Sequence, residues 1–172
     1  DVITGAAQSS SALLTAAEEA LTKAQYTFFA SGAGTSANPF VIETAEQLAA
    51  FAQAVDAGST FRGKTVALGA DIDLAGIESW NPIGAETGSR AGANQYLPSY
   101  EETDPVFNGV FDGQGHAVKN MTIKGTFDNT VNLGLFSALN TAARVRDLKI
   151  ENAVIDASAS DKYQLRAGIL AG

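Results

Sequence analysis

At 172 residues, 45% hydrophobic and 17% charged, the chain has the length and composition of one folded domain with its own core. Eleven basic against 19 acidic residues leave a net charge of −8, which excludes the basic stripe that nucleic acid or an anionic membrane surface requires. Cysteine is absent and His116 is the one histidine, so disulfides, thiolate nucleophiles, Cys-ligated metals and two-histidine metal sites within one chain are excluded. No apolar run reaches the roughly 18 residues of a membrane span, so membrane insertion is not expected. Asp1-Val2-Ile3 lacks the basic, apolar character of a signal peptide. The protein is therefore read either as cytoplasmic or as exported with its signal removed.

Along the chain, residues 1–10 are small and polar. Leu14, Ala17, Leu21 and Ala24 share one face of a predicted helix from Ser11 to Lys23. Residues 31–39 are rich in turn formers and close an N-terminal helical segment, 1–31. Phe40-Val41-Ile42 reads as a short strand. Thr44 with Gln47 makes a capping box, and Leu48, Phe51, Ala52 and Val55 follow at i, i+3, i+4 and i+7. With Gly58 as terminator, the pattern predicts an amphipathic helix from Ala45 to Ala57. Lys64 to Leu68 and Ile72 to Leu74 alternate like strands. Ala85 to Asp104 has no period and reads as a long surface excursion.

From Phe107 onward, short strands are separated by glycine: 110–111, 116–118, 121–123, 133–136, 145–150 and 154–155. Val118-Lys119-Asn120-Met121-Thr122-Ile123 aligns, position by position, with Val145-Arg146-Asp147-Leu148-Lys149-Ile150. Gly134-Leu135-Phe136-Ser137-Ala138 is answered by Gly168-Ile169-Leu170-Ala171-Gly172. Repeats of short strands at such a spacing predict a solenoid. The expected fold is mainly β: a right-handed parallel β-helix over 32–172, with the 45–57 helix covering its first open edge and the earlier helix preceding it. Gly113, Gly115 and Gly125 would supply bends with positive φ. Ala171-Gly172 stops in mid-pattern, so either a continuation of the chain or a partner chain is expected to cover the far end.

An ordered series of motifs carries a family likeness. It runs Asn38-Pro39-Phe40-Val41-Ile42, Thr44-Ala45-Glu46-Gln47-Leu48, Asp71-Ile72-Asp73-Leu74, Trp80-Asn81-Pro82-Ile83-Gly84, Phe107 to His116, and Gly134-Leu135-Phe136. Over residues 32–172 this resembles bacterial surface proteins with GLUG repeats, among them adhesin-like proteins and the non-catalytic region of IgA-specific metallopeptidases. The resemblance implies a right-handed β-helix, export and display on the cell surface; it does not imply a catalytic activity, because the shared motifs look structural. The chain departs from the pattern in its long 85–104 segment and in imperfect motifs at 134 and 168.

Four groups of residues are candidates for function. Asp112 and His116 lie in Phe-Asp-Gly-Gln-Gly-His, which also resembles a turn of β-helical polygalacturonases. They are read either as acid–base groups or, preferably, as a turn whose Asp holds backbone amides. Asp71 and Asp73 share one strand face, suiting either a calcium ion or solvent. Trp80 is a candidate sugar platform, with a core plug as the favoured alternative. Tyr96, Tyr100, Glu101 and Glu102, with Asp104, lie in the excursion and are the best binding candidates, because loops on rigid scaffolds carry recognition, with an ordinary solvated loop as the favoured alternative. No Ser-His-Asp, Ser-x-x-Lys or phosphate-loop context frames a nucleophile. Neither a catalytic residue, a metal ligand nor a cofactor is expected. The expected function is a cell-surface or secreted, adhesin-like module binding a host or cell-wall glycan or protein. The alternatives are the front part of a β-helical carbohydrate-active enzyme or surface protease, and a structural stalk.

Overall fold

The computed structural model describes residues 27–84, 106–128 and 131–172. The predicted first helix and the 85–104 excursion lie outside them. The described chain is mainly β with one helix.

The helix, α1 (Ala45–Asp56), forms as its sequence predicts. Thr44 accepts from the Gln47 N–H at 3.3 Å, and the Gln47 side chain accepts from the Thr44 and Glu43 N–H groups at 3.2 and 2.7 Å. These bonds satisfy donors that a helix start otherwise leaves open. Leu48, Phe51, Ala52 and Val55 form its buried face. Gly58, at φ 102°, reverses the chain after it.

Before α1 stands β1 (Phe40–Ile42). After it come β2 (Thr65–Leu68), β3 (Ile72–Asp73), β4 (Val110–Asp112), β5 (Ala117–Lys119), β6 (Thr122–Phe127) and β7 (Val131–Leu133). The last four are β8 (Arg144–Arg146), β9 (Lys149–Glu151), β10 (Val154–Ala159) and β11 (Leu165–Ala167). They make short, separate sheets: β1-β2-β4-β8, β3-β5-β9, β6-β10 and β7-β11. Every strand pairing in them is parallel. Parallel partners cannot be joined by a hairpin, so the chain must travel away and return between them. It does so in a constant order. Residues 110–133 visit the four sheets in turn, and residues 144–167 repeat the visit. Residues 65–83 make a similar earlier pass through β2 and β3. Trp80 then bonds to Thr122 of β6, and Ile83 bridges to Phe136.

The register corrects the expected repeat. Phe111 pairs with Val145, Val118 with Ile150 and Ile123 with Ile155. The true counterpart of Val118-Lys119-Asn120-Met121-Thr122-Ile123 is Ile150-Glu151-Asn152-Ala153-Val154-Ile155, not the stretch that begins at Val145. The sequence match had set one corner of the pass against a different corner with the same local pattern. Each such corner puts a polar residue in the left-handed region: Asn120 at φ 57°, Asp147 at 50° and Asn152 at 54°. Asn and Asp tolerate that conformation better than other side chains do. Gly115 and Gly125 do have positive φ, but Gly113 is needed for another reason. A Cβ there would collide with the Asp147 carbonyl oxygen and lie 2.5 Å from Leu148 Cα, on the neighbouring pass.

Inside, aromatic rings connect one pass with the next. Phe29 stacks on Phe40 at 4.5 Å, and Phe51 of α1 meets Phe61 at 5.0 Å and Phe107 at 5.6 Å. Phe136 lies 5.5 Å from both Phe107 and Phe111. Residues 29–31 join this body, for Ser31 bridges antiparallel to Val41. Phe51 is fully buried at the meeting point of helix and sheets. Phe51→Ala is expected to cost about 3–5 kcal/mol of stability, as emptied aromatic sites usually do. Denaturant unfolding checks this, and a loss below about 1 kcal/mol would mean that the helix does not anchor the core.

Candidate functional site

Of the polar residues singled out in the sequence, Asp71, Asp73 and His116 reach solvent while Asp112 is buried, and the structure sorts them into new partnerships. Asp71 and Asp73 flank the buried Ile72 and share the outer face, as strand alternation predicts. Both turn toward the next pass. Asp71 Oδ1 accepts from the Ala117 N–H at 3.0 Å and lies 3.2 Å from His116 Nδ1, while Oδ2 accepts from Lys119 Nζ at 2.7 Å. Lys119 Nζ also stands 3.9 Å from Glu151 Oε2, one pass further on. Asp73 Oδ1 accepts from the Ala75 N–H at 2.9 Å and from Asn120 Nδ2 at 2.8 Å. Asn152 then donates to Asn120 Oδ1 at 3.4 Å.

These contacts set the local electrostatics. The Lys119 hydrogen bond, followed by the Ala117 amide, holds the Asp71 carboxyl far below the usual carboxylate range. Asp71 in return raises Lys119. Asp73 is lowered first by Asn120 and then by the Ala75 amide. The D-x-D motif is thus occupied by its own protein neighbours. Among the described residues no group of three or more His, Asp or Glu side chains is arranged to hold a metal ion.

Asp112 and His116 are not partners: His116 faces Asp71, and Asp112 faces Arg146. Asp112 is 3% exposed. Its Oδ1 accepts from the Gln114 N–H at 3.0 Å, the backbone-holding role favoured from the sequence. Its Oδ2 accepts from Arg146 Nε at 2.9 Å and Nη2 at 2.6 Å. Arg146 was missed by sequence reasoning. An alignment that set Phe111 on Val145 would have placed it over Asp112. Trp80 is 3% exposed and its indole N–H donates to the Leu135 carbonyl at 3.2 Å. It therefore plugs the core and offers no open face to a sugar. Tyr96, Tyr100, Glu101 and Glu102 lie outside the described residues. The described residues on either side of that segment are tied to the next pass. Ile83 bridges to Phe136 and Phe107 to Leu139, on one continuous stretch of the following pass.

A second feature, also unforeseen, lies on the last pass. Val145, Arg146, Asp147, Leu148, Ile150 and Leu170 line a shallow hollow of about 230 Å³. Among the described residues the exposed large hydrophobics, Val154, Tyr163, Ile169 and Leu170, all belong to this pass.

With the geometry in view, no family model matches the chain, and no solved structure matches it. The chain is similar to a halomucin of Haloquadratum walsbyi, with 30% identity over 131 residues, which is 73% of this chain. It spans about 1% of the length of that curated relative. Among the described residues no helix is long and apolar enough to cross a membrane.

Arg146→Ala would leave the buried Asp112 carboxylate with one amide partner. A loss of about 1–3 kcal/mol is expected, the cost of an under-satisfied buried acceptor. Arg146 is itself largely in solvent, with 61% of its side chain exposed, so the loss should fall short of that for a fully buried pair. Urea titration of Arg146→Ala beside Asp112→Asn and the double variant gives the coupling. Additive effects would refute the pairing.

Proposed function

We propose that the chain is part of a right-handed parallel β-helix with α1 as its N-terminal cap. In this reading it serves as a non-catalytic module of an exported surface protein of the GLUG-repeat type. The observation that carries the reading is the ordered return of the chain: residues 110–133 and 144–167 visit four sheet positions in one sequence, each strand parallel to its predecessor. A stack of this kind is stiff and extends by repetition, which suits a stalk that holds a recognition segment away from a surface. The carboxylates of Asp71, Asp73 and Asp112 are taken up by Lys119, Asn120, Arg146 and backbone amides, an arrangement that favours scaffolding over acid–base chemistry.

The likeness to a halomucin, a mucin-type name, supports a place outside the cell, and the net charge of −8 accords with it. Recognition of a glycan or protein partner is assigned to the 85–104 segment, through Tyr96, Tyr100, Glu101 and Glu102. Support comes from the described residues that flank it, since Ile83 and Phe107 both bridge to the following pass.

The test is a glycan, mucin and matrix-protein array probed with the intact chain and with a variant lacking Ala85–Asp104. Binding that vanishes in a deletion variant that still folds is the expected result. Binding that persists would move recognition to another face. An array with no ligand for the intact chain would favour the stalk without a ligand of its own.

A further inference from the structure

Resting on the β-helix reading, we infer that the last pass is a strand-accepting surface for an extended polypeptide of defined chemistry. That polypeptide carries apolar side chains facing Val145 and Ile150, an acidic residue facing Arg146 and a basic residue facing Glu151. Three observations converge on β8 and β9.

The first is the open ladder. Each of β8, β9, β10 and β11 ends its sheet, so among the described residues no strand pairs with its outer edge. In a parallel ladder alternate residues bond to opposite neighbours. Arg144 N–H donates to Gly109 and Lys149 N–H to His116, both on the preceding pass. The N–H groups of Val145 and Ile150, one residue on from each, therefore face outward. Another backbone is the natural partner for such a row of donors and acceptors.

The second is the apolar floor. Beyond Ala138 no described residue is buried, although Val145, Ile150 and Ile155 pair with Phe111, Val118 and Ile123, all buried in the pass before. Leu148, Val145, Ile150 and Leu170 line the 230 Å³ hollow, which has room for one or two apolar side chains.

The third is charge order, which identifies the occupant. Along the second sheet the register runs Asp73, Lys119, Glu151, alternating in sign, with Lys119 reaching both Asp71 and Glu151. Along the first sheet it runs Asp112, Arg146, with two hydrogen bonds between them. Continued by one step, the order calls for a base over Glu151 and an acid over Arg146. A second copy of this face does not supply them, because antiparallel self-pairing of β8 about Val145 would set Arg144 of each copy against Arg146 of the other.

The chain itself contains a probe with the required pattern. Residues 109–123 carry Phe111, Asp112, Val118 and Lys119 at the spacing that meets Val145, Arg146, Ile150 and Glu151. A synthetic peptide of that sequence is titrated into the intact protein and followed by fluorescence anisotropy and amide hydrogen exchange. Saturable binding with new protection at residues 145–151 is expected. A peptide carrying Asp112→Lys with Lys119→Glu should bind at least tenfold more weakly, and Leu170→Asp in the protein should weaken the native peptide similarly. Leu170 is 39% exposed, so that variant should fold.

Equal binding of both peptides, or no binding, would overturn the inference. Concentration-dependent dimerisation of the protein through residues 145–151 would overturn it in favour of a second copy. Hydrogen exchange of the unliganded protein tests the underlying fold at the same time. If β4, β5 and β6 are protected while the peptide fails to bind, the inference fails and the β-helix reading stands.

Discussion

The parallel ladder between successive passes is the constraint on which the rest of the structure depends. Side chains alternate along a strand, so a slip of one residue between β4 and β8 would set the inward face of one strand against the outward face of the other, and Phe111 would lose Val145 as its neighbour. The apolar interior therefore selects the register. The register in turn decides which polar groups meet outside, setting Arg146 over Asp112 and Lys119 between Asp73 and Glu151. Asp71, just ahead of β3, reaches the same lysine. The outer network follows from inner packing, and its carboxylates are consumed in holding neighbouring passes together.

The first and last strands of the described sheets differ in how they are covered. At the N-terminal side, α1 buries Leu48, Phe51 and Val55 against a ring cluster that includes Phe29, Phe61 and Phe107. The last pass has a comparable set of apolar residues, Val145, Leu148, Ile150 and Ile155, each only half-buried. Open parallel edges with an apolar floor are costly to leave in water, and proteins commonly cover or pair them. The contrast between ends comes from side-chain burial and pairing.

Much of the fold was legible because its signals are local. The capping box at Thr44 and Gln47, the helical spacing of Leu48, Phe51, Ala52 and Val55, and the strand-forming run from Lys64 to Leu68 each act within a few residues, although all four residues of β2 are buried. The preferred reading of Asp112, a turn holding a backbone amide, was legible for the same reason. The repeat length was not. Corners at Asn120, Asp147 and Asn152 share one local pattern, and spacing alone cannot say which corner stacks on which. That depends on long-range pairing. The same blindness hid Arg146 as the partner of Asp112 and Asp71 as the partner of His116, contacts between residues far apart in the chain. The split of 145–150 into β8 and β9 and the presence of β11 were missed too, because a three-residue strand carries too little pattern to stand out.

Cysteine cross-linking tests the register most directly, since the chain has no native cysteine to interfere. Lys124 and Asp156 are exposed register partners on β6 and β10, and neighbouring strands hold such pairs at about the 4.4–6.8 Å Cα separation that a disulfide spans. A Lys124→Cys, Asp156→Cys variant should close an intramolecular disulfide under mild oxidation, detected by mass spectrometry of the peptides. A Thr122→Cys, Lys149→Cys variant, which follows the alignment of 118–123 with 145–150, should remain reduced. Closure of the second pair without the first would contradict the stacked register, and with it the whole account of which residues meet.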